Sequence, residues 1–210
     1  MHKMNLKDFA GVEVVHNKLA LPGSDDFNLT AQSLGLRGRF RVEHWRNSKR
    51  IDLRHFDNGI TNEGKNFLFN AMFHSGTQNS TWYLGLITAT GYSALAATDT
   101  YANIGTGSNG WSESTVYTDP ANSDSASTRP TWTPGSASGQ SITNSSVVVF
   151  DITGTDTIEG ILICGGANAQ TKSDHTAAAS NVLWSTALFS GGTSSVLNGD
   201  QLKVTYTVSA

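Results

Sequence analysis

Histidines, one cysteine and scattered carboxylates are the groups through which this chain would do chemistry, and their spacing assembles no familiar site. The six histidines are His2, His16, His44, His55, His74 and His175. No two of them form a His-x-x-x-His pair on a helix. His44 and His55 would approach each other across a hairpin, but a zinc site needs three or four ligands and the rest are not in view. The nucleophile elbow Gly-x-Ser-x-Gly has a near match in Gly135-Ser136-Ala137-Ser138-Gly139, with Ala137 where the nucleophile would stand. That elbow also needs a strand before it and a helix after it, whereas this stretch runs into a strand. Gly105-Thr106-Gly107-Ser108-Asn109-Gly110 lacks the lysine and following helix of a phosphate loop. Asp119 and Asp124 could hold calcium with nearby carbonyls, though no EF-hand loop surrounds them. Carboxylate pairs for glycoside hydrolysis come from distant strands and leave no local spacing to read. Cys164 ends Ile161-Leu162-Ile163-Cys164 and reads as a buried strand residue with no activating base in view. The expectation is no catalytic residue, no metal and no cofactor.

The elements that would position any such group are mostly strands. Trp82, Leu84 and Leu86 alternate with Tyr83, Gly85 and Ile87, and both sets are fairly apolar, so this strand is expected to be covered on both faces. Further strands are expected at Ser112–Thr118, Arg129–Trp132, Ser141–Ile152, Thr157–Cys164, Asn181–Phe189 and Gln201–Val208, separated by Gly, Pro and Asn turn clusters. Short strands at such spacing indicate a mainly β fold, a β-sandwich or jelly-roll-like domain. One helix is expected over about 61–73. Thr61 is its N-cap, Glu63 falls in the first turn, and Phe67, Leu68, Ala71 and Met72 lie at helical spacing. In the polar stretch 88–110, Tyr101 and Ile104 are the expected anchors.

The front of the chain differs in composition. Residues 1–66 hold 11 Lys/Arg and 8 Asp/Glu, a net of +3, and residues 67–210 hold 3 and 9, a net of −6. Residues 1–35 keep no lasting period and read as an extended N-terminal arm with apolar anchors at Val12, Val14, Val15, Leu19 and Leu21, the alternative being a poorly ordered terminus. Residues 36–56 read as a hairpin turning at Asn47-Ser48. Phe40, Val42 and His44 lie on one face and Arg39, Arg41 and Glu43 on the other, and Asn58-Gly59 is expected to turn the chain towards the helix. The arginines are either solvated edge residues or a surface that docks on an acidic protein. The acidic total and the slight aromatic interleaving argue against nucleic acid. No apolar run approaches a membrane span of ~20 residues. No signal peptide is evident, and the single cysteine permits no intrachain disulfide, so synthesis in a reducing cytoplasm is expected.

Several stretches together resemble a group of small structural proteins of tailed bacteriophages. They are Ile51-Asp52-Leu53-Arg54, Asn58 to Asn66, Thr81 to Ile87, Trp111-Ser112-Glu113, Arg129-Pro130 with Trp132, Val149-Phe150 with Ile158 and Gly160, and the ending Asn198 to Ala210. The likeness covers about residues 36–210 and leaves the arm outside. It implies a virion β module without enzymatic residues, made in the host cytoplasm. The leading expectation is a capsid decoration (cement) protein. Its partners would be the major capsid protein and neighbouring copies, often as a homotrimer, with no membrane and no direct nucleic-acid contact. In that role Val12, Val14, Val15, Leu19 and Leu21 would bury on neighbours, and Arg37, Arg39, Arg41 and Arg46 would meet acidic capsid surface. The alternative is a tail or fibre component that binds a host glycan on Trp82, Trp111, Trp132 and Trp184, each of which reads first as a core residue. A β-fold depolymerase is the third class.

Overall fold

The computed structural model describes residues 35–104, 106–172, 175 and 180–210. The arm residues Val12, Val14, Val15, Leu19 and Leu21 lie outside the described residues. The body begins with the expected hairpin: β1 (Arg37–Arg46) pairs antiparallel with β2 (Lys49–Ile60). Asn47 and Ser48 both carry positive φ, 50° and 58°, the two-residue geometry that matches strand twist. Asn58-Gly59 does not turn the chain. β2 runs through it, and Gly59 and Ile60 pair with Thr186 and Ser185 of another strand. The Asn58 side chain donates to the Tyr206 hydroxyl, so this polar residue is held within the strand.

Helix α1 (Asn62–Phe73) starts where the cap is expected. The Thr61 hydroxyl accepts from the Gly64 N–H at 2.9 Å and also donates to the Leu183 carbonyl, tying the helix start to a neighbouring strand. Gly64 is required by close approach: a Cβ there would lie 2.6 Å from the Trp184 carbonyl oxygen. Glu63 turns away from its own helix. Its carboxylate accepts from the Tyr101 and Leu183 N–H groups at 2.9 and 2.7 Å, and burial pushes its pKa up against these bonds. Thr61→Ala is expected to cost about 1–2 kcal/mol in chemical denaturation, because it leaves the Gly64 N–H at a buried helix start without its acceptor.

The remaining strands are β3 (Trp82–Thr88), β4 (Ser112–Glu113), β5 (Tyr117–Thr118), β6 (Thr131–Trp132), β7 (Ser141–Thr143), β8 (Val148–Ile152), β9 (Asp156–Gly165), β10 (Val182–Leu188), β11 (Ser194–Val196) and β12 (Gln201–Ser209). Among the described residues they make one antiparallel sheet in the order β4-β3-β9-β10-β2-β1-β12-β8-β5, with β11 on β9, β6 on β3 and β7 on β12. The sheet curls into a half-barrel, sandwich-like, around a core that holds Phe40, Val42, Phe150 and Val204 from one side and Leu84, Leu86, Ile161 and Ile163 from the other. The expected single strand over 112–118 is two short ones. β4 closes on β3 and β5 on β8, so this one segment joins the two edges of the sheet. The expected strand over 141–152 likewise divides into β7 and β8, and β11 is a further short strand that no expected run covers.

β3 is covered on both faces, as its composition requires. Tyr83 and Ile87 face a second core made by Tyr101, Ile104 and Trp111 of the 88–111 segment with Leu162, Cys164 and Leu183. Tyr101 and Ile104 are the anchors expected of that segment, at 1% and 0% exposure. Cys164 lies in this core, and burial drives its thiol up to about 12, so it stays protonated and inert at neutral pH. Among the described residues no helix is long and apolar enough to cross a membrane.

Candidate protein-docking face

The outward side of β2, β1 and β12 is patterned by the alternation of the strands. Phe40, Val42 and His44 point into the core, which leaves Arg37, Arg39, Arg41, Glu43 and Trp45 outside. Register places Arg41 beside His55 on one flank and Thr205 on the other, and Glu43 beside Leu53 and Lys203. Ile51 and Leu53 are exposed on the same side, at 48% and 38%.

Glu43 organises the middle of this face. It pairs with Arg41, lies 3.6 Å from Arg50, and accepts from the Trp45 indole N–H at 2.6 Å. Burial opposes its ionisation, but these donors and cations together hold its carboxyl below the usual range. The Lys203 ammonium sits 4.5 Å from the centroid of the Trp45 ring, which fixes that ring against the sheet. Arg37 and Arg39 are exposed and form no ion pair among the described residues. The face therefore carries a fixed Trp–Glu–Arg centre, exposed aliphatics and free cations.

Arg46, the fourth arginine expected to meet a partner, is committed elsewhere. Its guanidinium grips Asp200 with two bonds, Nε to Oδ1 at 2.8 Å and Nη2 to Oδ2 at 2.7 Å. Asp200 also accepts from the Leu197 N–H at 2.9 Å and meets His44 Nε2 at 2.8 Å, and His44 Nδ1 lies 3.3 Å from the Ser194 hydroxyl. The order Asp200–His44–Ser194 has the connectivity of a hydrolytic triad. Ser194, His44 and Asp200 are only 5%, 5% and 2% exposed, however, so the hydroxyl has no open approach for a substrate. The network instead fastens the end of β1 to the turn before β12. No sequence spacing signals it, because its members come from two distant segments, 44–46 and 194–200.

The other sequence candidates disperse. His44 is inward and His55 outward, on opposite faces of the hairpin, so they cannot share a metal. Asp119 is buried, and its carboxylate caps the short turn of helix over 120–122 through the Ala121 N–H. Among the described residues no group of three or more His, Cys, Asp or Glu gathers as a metal site. The tryptophans are packed as core residues. Trp111 and Trp132 are 1% and 6% exposed, Trp184 donates to the Tyr206 hydroxyl at 3.2 Å, and Trp82 meets Trp184 edge-on. Trp111 is closed off in the second core, whereas Trp82, Trp132 and Trp184 line a cavity of about 380 Å³ beside α1. Comparison with known proteins returns no match: no protein family fits the chain, and no curated protein or solved structure resembles it.

Proposed function

We propose that the chain is a structural component of a tailed-phage virion, a capsid decoration protein that docks on the shell of the major capsid protein. The observation that carries this reading is the outer face of β2, β1 and β12. Its cations Arg37, Arg39, Arg41, Arg50 and Lys203 outnumber the carboxylates Glu43 and Asp57, and Ile51, Leu53 and Trp45 lie among them. Arginine and tryptophan around a small apolar centre is the composition of surfaces that bind proteins, and a one-signed rim steers approach to an oppositely charged partner. The resemblance of residues 36–210 to small phage structural proteins points the same way. In this role the chain acts by mass of repeated contacts on a symmetric shell, bridging joints between capsid subunits, and carries out no reaction. Neighbouring copies meet as a homotrimer, with the 1–35 arm tying one copy to the next.

The test is a copy-number count in purified virions by quantitative mass spectrometry against the major capsid protein. A ratio near one, or a simple large fraction of it, is expected. A ratio of a few per cent overturns the shell role and moves the protein to the tail or a vertex. Arg39→Glu with Arg41→Glu is expected to weaken binding to bare capsids by roughly tenfold or more and to flatten its salt dependence.

A further inference from the structure

The cavity beside α1 is apolar and open to solvent. It is lined by Leu68 and Met72 of the helix, by Trp82, Trp132 and Tyr206 of the sheet, and by Leu36. Met72 is 64% exposed, so the helix does not close it over. None of its lining residues is charged. An open apolar groove of this kind marks a contact site. Leu36 directly precedes β1, so the chain passes along the groove as it enters the fold. The segment just before it, Phe27 to Leu34, lies outside the described residues. Its sequence, Phe27-Asn28-Leu29-Thr30-Ala31-Gln32-Ser33-Leu34, holds no Lys, Arg, Asp or Glu, whereas residues 1–26 hold seven.

We infer that residues 27–34 seat in this groove of their own chain, with Phe27 and Leu29 as the side chains it buries. Position identifies the occupant. Leu36 already belongs to the wall, so the preceding residues are tethered beside the opening, and a short tether gives them an effective concentration in the millimolar range. Any other occupant has to displace them. Charge agrees. Burying a charge in an apolar groove without a partner is costly, and Phe27 to Leu36 is the longest uncharged run ahead of β1. Pattern agrees as well. In an extended chain Phe27, Leu29 and Ala31 fall on one side, towards the apolar walls, and Asn28, Thr30 and Gln32 on the other, towards water. The seat fixes the root of the N-terminal arm beside α1, and Val12, Val14, Val15, Leu19 and Leu21 stay free to reach a neighbour. The contact uses none of the docking-face residues and stands whether or not that face binds a capsid.

Amide and indole NMR spectra of the isotopically labelled full chain test it. The Trp82 indole N–H and the Gln78 and Asn79 side-chain amides line the groove and report on it. Phe27→Asp and Leu29→Asp are each expected to shift these signals and to leave the Trp45 indole, on the docking face, unmoved. Met72→Glu, made from the groove side, is expected to move the backbone amides of residues 27–34 to random-coil positions. Val14→Asp is expected to change none of these signals. The wild-type spectrum is expected to be the same at every concentration, because the contact lies within one chain. Groove signals that ignore both Phe27→Asp and Leu29→Asp overturn the inference. So do groove signals that move on dilution, which give the groove to a second copy, or that answer to Val14→Asp, which gives it to the earlier part of the arm. Native mass spectrometry that finds a small apolar molecule held by the chain overturns it as well.

Discussion

Replacing Arg129 with methionine is expected to lower stability by about 3–5 kcal/mol, the cost of leaving one member of a buried ion pair without its partner. For a body of this size that corresponds to a fall in melting temperature on the order of 10 °C. Arg129 is 0% exposed. Its guanidinium holds Glu113 with two bonds of 2.7 Å and donates through Nη1 to the Ala169 carbonyl at 2.6 Å and that of Thr171 at 3.2 Å. Glu113 also accepts from the Tyr117 hydroxyl at 2.7 Å. Glu113 and Tyr117 belong to the segment that joins the two edges of the sheet, so the pair locks the closure of the half-barrel onto the 165–172 loop. Gly85 on β3 makes room for it: a Cβ there would lie 2.3 Å from Glu113 Oε1.

The companion variant separates charge from packing. Arg129→Met with Glu113→Gln removes both charges, and an apolar or neutral replacement of a whole buried pair is often close to neutral. The double variant is therefore expected to recover a good part of the loss in thermal denaturation. If it is no more stable than Arg129→Met alone, the cost lies in the carbonyls of Ala169 and Thr171 and in lost packing, rather than in the orphaned carboxylate. Lys172 is a weaker test of the same region. Its ammonium donates to the Tyr117 carbonyl at 2.6 Å and lies 3.9 Å from that ring's centroid, but burial already lowers its pKa.

This buried pair also shows where sequence reading stops. The alternation of residues 82–87, the cap at Thr61, the anchors Tyr101 and Ile104 and the turn at Asn47-Ser48 are local patterns, and each finds its place in the fold. They are legible because period and turn chemistry act within a few residues. The failures are non-local. Asn58-Gly59 has turn chemistry, yet pairing with β10 and the Tyr206 hydroxyl keep it extended. Ser112–Thr118 looks like one strand because nothing in its sequence says that its ends belong to opposite sheet edges. Arg37, Arg39 and Arg41 face outward as their alternation requires, whereas Arg46 follows a bulge after His44 and meets a carboxylate from the far end of the chain.

The two polar clusters do different work from the outer face of β2, β1 and β12. Glu113–Arg129 and His44–Arg46–Asp200 are closed, with each charge answered inside the molecule. The cationic face is more open: Arg37 and Arg39 form no ion pair among the described residues, and Ile51 and Leu53 are exposed beside them. The proposed surface-binding role would use this division, because buried locks keep the strands rigid while the exposed groups stay available to the partner proposed above. Trp111, Trp132 and Trp184 are buried with the locks, whereas Trp45 lies on the cationic face.

Acid sensitivity is the clearest consequence of the second lock. Burial alone would raise the pKa of Asp200. The Arg46 guanidinium, the Leu197 N–H and His44 outweigh it and hold the carboxyl well below the usual carboxylate range. A carboxyl that is more acidic folded than unfolded stabilises the fold at pH above its unfolded value, near 4, and loses that contribution as pH falls towards its folded value. Stability is therefore expected to hold level from neutral pH down to about 5 and to decline below about 4. Asp200→Asn should cost roughly 2–4 kcal/mol at pH 7, because it leaves the Arg46 and His44 groups without their anion. The same variant should be flatter than the wild type below pH 4, so the two curves converge in acid. Urea denaturation at a series of pH values reads both effects. Parallel curves, with the variant offset equally at every pH, would mean that Asp200 serves as a hydrogen-bond acceptor whose charge is immaterial. Convergence would locate the acid limit of the hairpin's attachment to β12, and with it the pH at which the docking face loses its fixed geometry.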